Sequence, residues 1–349
     1  MMTPERLREL LARFPSKRLI VIGDYFLDKY LEFDPDLAET SLETGRTANQ
    51  VVNVRHGPGA AGTVVSNLVA LGAGEVIPIG FTGDDGEGYE LRQDIQKLGC
   101  STDHLLSVPN LRTPTYLKPR NSHIPGLEGE SERYDIKNRV PLPTDVEKSI
   151  IDSLTDLLPG TDAVIIADQV EEENHGVITS NIRGKLAQLA EKHRNIVFWA
   201  DSRCRMGCFR NVIVKPNECE AVQAAFPEHR DKITDEIVIQ AGKILLERTG
   251  RPVFITCAER GILVISNNGV QEIRAVRIDS FIDSTGAGDS ATAAAILALA
   301  SGGSLAEAAV IANLTASITI KQLGTTGTAT PDRIPVQLDL WHTQAGMDA

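Results

Sequence analysis

Six short, mostly apolar runs, separated by helical patterns, constrain the fold of this chain more than any other feature of its sequence. The runs lie at 18–22, 76–79, 163–167, 196–200, 212–214 and 253–256. A continuous apolar run is typical of a strand that is buried on both faces. The helical patterns lie at 62–71, 86–98, 145–158, 179–193, 218–225 and 235–248. Strands alternating with helices predict an α/β fold with a parallel sheet covered by helices on both faces.

Two polar segments, 29–55 and 112–139, interrupt this alternation. They contain β-leaning pieces such as YLEF, VVNV and TYLK, and long loops without structure of their own are uncommon. We expect a small antiparallel sheet inserted into the main domain as a lid; the alternative is two long surface loops. The predicted organisation is a helical extension at 1–16, a main domain at 17–335 that carries the lid, and a tail at 336–349.

The charge balance narrows the possible partners. The chain has 47 Asp and Glu against 35 Lys and Arg, with a formal net charge of -12. Broad binding to nucleic acid or to an anionic membrane needs a cationic face, so this balance argues against both. No apolar run reaches the roughly 18 residues of a membrane-spanning helix, and the N-terminal segment lacks a signal-peptide core. We therefore predict a cytoplasmic protein with no nucleic-acid or membrane partner.

The sharpest motif is DSTGAGD at 283–289, which stands at the start of a run of small and apolar residues, 287–300. Such a run predicts a helix that is buried around most of its circumference. The small residues Gly286, Ala287 and Gly288 let the main chain approach a ligand, and the first turn of a helix offers unpaired N–H groups. We expect an anion hole there for a phosphoryl group.

Asp289 follows the glycines directly. A carboxylate beside a transferring phosphoryl group can accept the proton of an attacking hydroxyl, which is the base role that phosphoryl transfer needs. The alternative is that Asp289 only favours the helix dipole and that the glycines only form a turn.

The motif at 283–289 resembles the D-T-x-G-A-G-D motif of the PfkB (ribokinase-like) carbohydrate kinase family. The resemblance covers about 17–331 and is nearest the heptose phosphate kinase branch. It implies a doubly wound, mostly parallel α/β sheet with a β-sheet lid. It also implies an ATP-dependent, in-line phosphorylation of a hydroxyl on a sugar or sugar phosphate, with the ATP phosphates over Gly286 to Gly288 and Asp289 as base.

A second motif, KPNECE at 215–220, follows a strand and opens a helix. Asn217 and Glu220 are three apart, so both side chains leave one face of the first turn. An amide and a carboxylate there suit the water shell of Mg²⁺, which binds protein sparingly. The pattern resembles the family's N-x-x-E motif; the alternative is a helix cap with a glutamate in the first turn.

Two segments predict the acceptor site. Asp24 and Asp28 leave the first strand at its carboxyl end, where open α/β sheets bind ligands, and their G-D-x-x-L-D pattern resembles the heptose phosphate kinase branch. In the wider family the residue at the position of Asp28 contacts the sugar, whereas Asp24 is equally suited to capping a turn. Gly59 and Thr63 belong to a glycine-rich turn that resembles the family's sugar-site segment, although Thr63 stands where the family usually has asparagine.

The nucleotide end rests on weaker resemblances. The family's nucleotide-binding positions match Thr256, Glu259, Gly261, Asp283, Thr285 and Asn313. The segment 324–327 resembles a turn that closes over the base and offers carbonyls to a monovalent cation. Each of these pieces is also consistent with a plain turn or cap. The expected cofactors are ATP and Mg²⁺, with a monovalent cation as a further expectation.

Basic side chains in and near the lid suit a substrate phosphate, since arginine offers a two-pronged donor geometry. The candidates that resemble segments of the heptose phosphate kinases are Lys118, Arg120, Arg133 and Arg203. The alternative is a set of solvated surface cations. Edge strands of a lid can also pair across two copies, which allows a homodimer through the lid.

Two other functions remain open at this point. A nucleoside kinase of the same family needs a pocket that stacks on a base, and the lid offers Tyr30, Phe33, Tyr116 and Tyr134. A catalytically silent sugar-binding regulatory protein predicts loss of the base or the anion hole, and both motifs are intact. No segment resembles the H-x-G-H nucleotidyltransferase motif with which some heptose phosphate kinases are fused.

Overall fold

The computed structural model of this chain describes residues 2–324 and 326–347. Its helices are α1 (Pro4–Leu11), α2 (Ala61–Ala70), α3 (Gly86–Lys97), α4 (Thr144–Leu157), α5 (Ser180–Lys192), α6 (Glu218–Ala225), α7 (Asp235–Thr249), α8 (Ala287–Ala300), α9 (Leu305–Thr319) and α10 (Ile334–Met347). Its strands are β1 (Arg18–Gly23), β2 (Tyr25–Thr40), β3 (Thr47–Ala60), β4 (Glu75–Gly83), β5 (Leu105–Val108), β6 (Thr115–Asn121), β7 (Tyr134–Ile136), β8 (Ala163–Asp168), β9 (Val197–Ser202), β10 (Ile213–Val214), β11 (Val253–Thr256), β12 (Ile262–Ser266) and β13 (Gly269–Ile273).

The main sheet runs in the order β13-β12-β11-β10-β9-β8-β1-β4-β5 within the described part of the chain. Every pair from β11 to β5 is parallel, and β12 and β13 close one side as an antiparallel hairpin. The chain adds strands first on one side of β1 and then on the other. The predicted doubly wound, mostly parallel sheet is therefore confirmed, and its order reverses between β1 and β8.

Two apolar cores explain why the strand sequences are continuously apolar. Leu19 and Val21 face a core that includes Trp199 and the buried sides of α2, α8 and α9. Ile20 and Ile22 point the opposite way, into a core shared with α4, α5, α6 and α7. Because side chains alternate along a strand, a strand covered on both faces needs apolar residues at every position.

The lid is a four-stranded sheet in the order β3-β2-β6-β7, built from both interrupting segments. The β2–β3 and β6–β7 pairs are antiparallel, but β2 and β6 pair in parallel. The lid sheet is therefore mixed, and not purely antiparallel as the strand pattern predicted. The reason is that β2 follows β1 and β6 follows β5, so both leave the same edge of the main sheet and run outward in the same direction.

The helix α8 has the small-residue character that the sequence predicted, and it is buried along most of its length. Ser304 then begins α9 with a reciprocal cap that it forms with Glu307. The terminal helices α1 and α10 pack on the same core through residues such as Leu10 and Leu338. Among the described residues, no helix combines the length and apolar character needed to cross a bilayer.

Candidate active site

A cleft with a volume of about 670 Å³ opens at the carboxyl edge of the main sheet, where several strands end. Ligand pockets of this size are common in enzymes. The sequence candidates that line it are Arg203, Asn217, Glu220, Thr256, Gly261, Thr285, Gly286, Ala287, Gly288, Asp289 and Asn313. The fold thus brings together segments that lie more than a hundred residues apart.

The segment 283–289, which we call the glycine turn, forms one wall of the cleft. Asp283 holds it in place: one carboxylate oxygen accepts from the Thr285 N–H at 3.0 Å and the other from the Gly324 N–H at 3.0 Å. Gly286 precedes α8 with a φ of 77°, in the left-handed region that favours glycine. The Ala287 N–H donates to the Ser284 carbonyl at 3.1 Å. The N–H groups of Gly288 and Asp289 follow it in the first turn of α8 and have no backbone acceptor in the described structure, so they remain available to a ligand.

Asp289 is half-buried in the first turn of α8. Burial, helped by the nearby Asp201 carboxylate, raises the pKa of its carboxyl to about 7 against the opposing charges of Lys215 and Arg203. A carboxyl that titrates near neutral pH can both accept and release a proton under ordinary conditions.

Lys215 and Asp201 face the glycine turn and were missed as site residues from the sequence. Their side chains form an ion pair of 2.9 Å, and both line the cleft. Burial works to lower the pKa of Lys215, but Asp201 and other carboxylates outweigh it and raise the value. The available signal was their position, since Asp201 lies near the end of β9 and Lys215 follows β10 at the ligand-binding edge.

Asn217 and Glu220 begin α6 as a reciprocal cap. The Asn217 side-chain oxygen accepts from the Glu220 N–H at 2.8 Å, and a Glu220 carboxylate oxygen accepts from the Asn217 N–H at 2.8 Å. The helix cap given above as the alternative is therefore formed, and both residues also line the cleft. Burial raises the pKa of Glu220, and Asp201 adds to the shift.

Asp28 lies on the lid side, on β2. Its carboxylate is 3.1 Å from the ammonium of Lys118, which also donates to the Tyr30 hydroxyl at 3.2 Å. A Cβ atom on Gly59 would lie 2.7 Å from an oxygen of Asp28, so only glycine leaves room for this carboxylate. Thr63 is buried, and its hydroxyl donates to the Pro58 carbonyl at 3.3 Å.

Asp24 does not line the cleft in the described part of the chain. Its buried carboxylate accepts from the N–H groups of Gln169, Val170 and Val177 at 2.7, 2.9 and 2.6 Å. Burial, together with the Asp168 carboxylate, raises its pKa to about 6 against the opposing effect of the three N–H donors. Asp24 therefore ties the end of β1 to the segment after β8.

The four candidate phosphate ligands separate in the structure. Arg133 pairs with Asp135 at 2.7 Å and covers the Tyr116 ring at 4.1 Å, and Arg120 donates to a lid carbonyl. Lys118 is buried against Asp28, as described. Of the four candidates, Arg203 alone lines the cleft formed by the described residues.

Three of the nucleotide candidates, Thr256, Gly261 and Asn313, line the same cleft. Asn313 donates from its amide to the Ile273 and Arg274 carbonyls at 2.9 and 3.1 Å, and it also lines the cleft. Glu259 is exposed and does not line the cleft within the described residues. Thr256 and Gly261 do line it.

The segment 324–327 lies against the glycine turn. A Cβ on Gly286 would contact Thr326 at 3.4 Å. The Gly324 carbonyl, which was a candidate for a monovalent cation, accepts from the Arg55 guanidinium at 3.1 Å. Thr325, in the same candidate segment, lies outside the described residues.

Solved structures of known proteins share this fold. Ribokinase of Arabidopsis thaliana, solved with ribose and ATP, superposes with a TM-score of 0.66 at 18% identity, covering 93% of this chain and 98% of that one. Phosphofructokinase-2 of Escherichia coli, solved with substrates and products, gives a TM-score of 0.68 at 18% identity, covering 94% and 99%. The predicted ribokinase-like fold is confirmed.

Sequence comparisons agree with this class of fold. Residues 185–333 match the model of the pfkB family of carbohydrate kinases. The chain is 28% identical to the bifunctional protein HldE of Pelobacter propionicus over 347 residues, covering 99% of this chain and 68% of that protein. It is 32% identical to HldE of Hyphomonas neptunium over 330 residues, covering 92% and 63%. The chain thus spans about two thirds of the length of these relatives.

The chain belongs to the pfkB family of carbohydrate kinases, and the relatives agree with the branch that its sequence resembles. It is a sugar kinase, which implies that it uses ATP and a sugar acceptor, typically with a divalent metal. The silent regulatory alternative is thereby set aside.

Proposed function

We propose that this kinase transfers the γ-phosphoryl group of ATP in line to a hydroxyl of a sugar or sugar phosphate, with Asp289 as base. The observation that carries the proposal is the position of this half-buried carboxyl, with its pKa of about 7, in the first turn of α8 beside the glycine turn. A base is most effective when its pKa lies near the working pH.

In this proposal the proton of the acceptor hydroxyl moves to Asp289, and the phosphoryl group moves to the acceptor oxygen. Asp289 takes the proton of the acceptor hydroxyl as its oxygen attacks the γ-phosphorus, and the bond to the β-phosphate oxygen of ATP breaks. The first-turn N–H groups at Gly288 and Asp289 stabilise the negative charge that spreads over the transferring group. Lys215, held by Asp201 at 2.9 Å, adds a fixed positive charge beside them.

The residues around the cleft fit a divalent metal bound through water. Asp201, Glu220 and Asp289 bring negative charge together, and Asp201 raises the pKa of both other carboxyls. The cap uses one Glu220 oxygen and the Asn217 oxygen, which leaves the second Glu220 oxygen to accept from a metal-bound water. Mg²⁺ bound with ATP supplies charge neutralisation at the phosphates.

The nucleotide is proposed to occupy the end of the cleft near Thr256, Gly261 and Asn313, which line it. Asp283 and Thr285 contribute by holding the glycine turn in shape. We propose no monovalent cation at the Gly324 carbonyl, because the positive charge of the Arg55 guanidinium, which donates to this oxygen at 3.1 Å, repels a second cation there.

The acceptor is proposed to lie between the glycine turn and the lid, with Asp28 bonded to its hydroxyls. Gly59 leaves space for this carboxylate and Lys118 holds it. Because the sequence resembles the heptose phosphate kinase branch, a heptose phosphate is the acceptor that we propose. Arg120 and Arg133 already have partners within the lid, so their assignment as phosphate ligands stays a prediction.

A nucleoside acceptor is less well supported. Two of the four lid aromatics that would stack on a base are already covered. Arg55 and Lys118 lie over the Tyr30 ring at 3.8 and 4.8 Å. The Tyr116 ring packs between Arg133 and Phe26. These rings therefore contribute to the cohesion of the lid.

The lid also carries an exposed apolar edge, which supports the proposed homodimer. Val52 and Val54 lie on the edge strand β3 and are 52% and 48% exposed. An exposed apolar edge strand is a template for pairing with a second copy. Light scattering on Val54→Glu should show a smaller species than the wild type; a monomeric wild type would contradict the dimer.

The experiment that tests the proposed function measures ADP formation with free sugars, sugar phosphates and nucleosides as acceptors. We expect turnover with sugars or sugar phosphates, highest with a heptose phosphate, and little with nucleosides. Faster turnover with a nucleoside would reject the acceptor class, and no ADP formation with any acceptor would reject the kinase proposal.

A further inference from the structure

Gly324 connects the lid to the glycine turn. On the main-domain side, its N–H donates to the Asp283 carboxylate at 3.0 Å, and the other oxygen of that carboxylate accepts from the Thr285 N–H at 3.0 Å. On the lid side, the Gly324 carbonyl accepts from the Arg55 guanidinium at 3.1 Å. A series of hydrogen bonds through Gly324 therefore runs from strand β3 of the lid to the segment that precedes α8.

Arg55 is fixed within the lid where it reaches Gly324. Its Nε donates to the Glu32 carboxylate at 2.9 Å, and the centre of its guanidinium lies 3.8 Å from the centroid of the Tyr30 ring. The Glu32 carboxylate also accepts from the Asn53 amide at 2.9 Å. Because a guanidinium offers several donors in one rigid plane, Arg55 can bind Glu32 and Gly324 at the same time. The position of the lid is thus transmitted to the Gly324 carbonyl.

Gly324 has little freedom between these partners. Its φ of 71° lies in the left-handed region that favours glycine. A Cβ atom on it would lie 3.1 Å from a guanidinium nitrogen of Arg120, a second arginine of the lid. Asp283, on the opposite side, is 4% exposed, and a buried carboxylate that loses a donor is costly. The lid and Asp283 together therefore determine where Gly324 lies.

The glycine turn passes this position on to the anion hole. The Thr285 N–H is held by the carboxylate described above, and the Ala287 N–H donates to the Ser284 carbonyl at 3.1 Å. The next N–H groups, those of Gly288 and Asp289, are the ones proposed to stabilise the transferring phosphoryl group. Such donors are effective because they already point to the place where charge develops, so a shift of the turn weakens them.

We propose that Arg55 is a positioning residue that links the placement of the lid to the shape of the anion hole. It lies outside the cleft lining that the structure describes, so it acts through Gly324 and Asp283 and does not touch the reacting groups. The inference rests on the proposed function, in which the acceptor binds between the lid and the glycine turn. A lid that is seated over the acceptor therefore aligns the donors that the phosphoryl group needs.

The kinetic test separates kcat from KM. Arg55→Met removes the donor to Gly324 and keeps an unbranched side chain, so kcat should fall about tenfold, as expected when a charged hydrogen-bond partner is lost. The KM for ATP should stay nearly constant. Glu32→Gln loosens Arg55 without removing it and should give a smaller fall in kcat of the same kind. Arg46→Met, which removes an exposed arginine from the turn between β2 and β3, is the matched control and should change neither value.

A binding measurement tests the same link without turnover. ADP with aluminium fluoride and Mg²⁺ imitates the transferring phosphoryl group, and mimics of a transition state depend on the groups that stabilise it. Titration calorimetry is done with the best acceptor of the ADP-formation assay bound. In Arg55→Met the Kd of ADP alone should match the wild type, whereas the Kd of ADP with aluminium fluoride should rise about tenfold. Glu32→Gln should show the same selective change at smaller size, including where Arg55→Met does not fold.

Three results would overturn the positioning role while the kinase proposal stands. They are an unchanged kcat in Arg55→Met, a change confined to the KM for the acceptor, and equal losses of affinity for ADP and for ADP with aluminium fluoride. For a variant pair in which only Glu32→Gln folds, unchanged kinetics and binding in Glu32→Gln overturn it as well. No ADP formation by the wild type with any acceptor would instead reject the proposed function itself.

Discussion

The main-domain wall of the cleft and the lid arrange their charges in opposite ways. In the wall, Asp201, Glu220 and Asp289 lie close together, and the cations within ion-pair distance of this set in the described structure are Lys215, 2.9 Å from Asp201, and Arg203, 3.8 Å from Glu220. Burial and mutual repulsion raise the pKa of Glu220 and Asp289 as a result. Charged groups with such shifted values are typical of functional sites.

In the lid the charged groups largely neutralise one another. Lys118 pairs with Asp28, and Arg133 pairs with Asp135. These lid cations also stack on aromatic rings, which fixes their side chains further. The carboxylates of the wall therefore remain able to interact with a ligand, whereas most charged side chains of the lid interact with one another and stabilise the lid sheet. Lys137, which follows β7, differs from these lid cations because it has no ion pair with any residue that the structure describes.

The largest expected effect comes from the wall. Asp289→Asn keeps the size of the side chain but removes its capacity to accept a proton, so kcat should fall by about 100-fold or more. ATP binding, measured by titration calorimetry, should be retained. Asp279→Asn is the matched control, because Asp279 is exposed and lies outside the cleft lining that the structure describes. An unchanged kcat in Asp289→Asn would show that Asp289 is not the base. The proposed difference in function between the wall and the lid would then be contradicted.

The pH dependence of kcat/KM tests whether the carboxylates of the wall set the pKa of the base. The base acts when ionised, and the pKa of Asp289 is about 7, so kcat/KM should fall about tenfold between pH 8 and pH 6. Asp201→Asn removes a neighbouring negative charge and frees Lys215, which lowers the pKa of Asp289 and moves the acidic limb to lower pH. The measurement is a kcat/KM profile for each variant, with Asp279→Asn as control. A limb that stays in place would show that Asp201 does not tune the base.

The lid is expected to give smaller and more selective effects. Lys118→Met leaves the Asp28 carboxylate without its partner, so kcat/KM for the acceptor should fall about tenfold, while KM for ATP stays nearly constant. Arg133→Met should change kcat/KM less than about twofold, since an exposed ion pair contributes little. Steady-state kinetics with each substrate varied in turn would check both. A larger loss in Arg133→Met than in Lys118→Met would reverse the order and contradict the account of the lid.

Much of the fold and the centre of the site could be predicted from the sequence. The continuous apolar runs predict buried parallel strands, because covering both faces leaves no position for a polar side chain. The DSTGAGD motif predicts the glycine turn and Asp289 together, because small residues and a helix start are local properties of the chain. The family resemblance rests on these same local patterns and is confirmed.

Other features were decided only by the tertiary structure. The sequence shows that Lys118, Arg133 and Lys137 are basic, but not that the first two pair with carboxylates while the third has no ion pair with any residue that the structure describes. Asp201 lies 88 positions before Asp289 in the chain, yet it helps to set the pKa of that residue. The physical reason is that a charge acts through space on whatever the fold brings near it, whereas turns and strand burial depend on neighbouring residues. Local chemistry was thus determined by the sequence alone, and the pairing of charges by the fold.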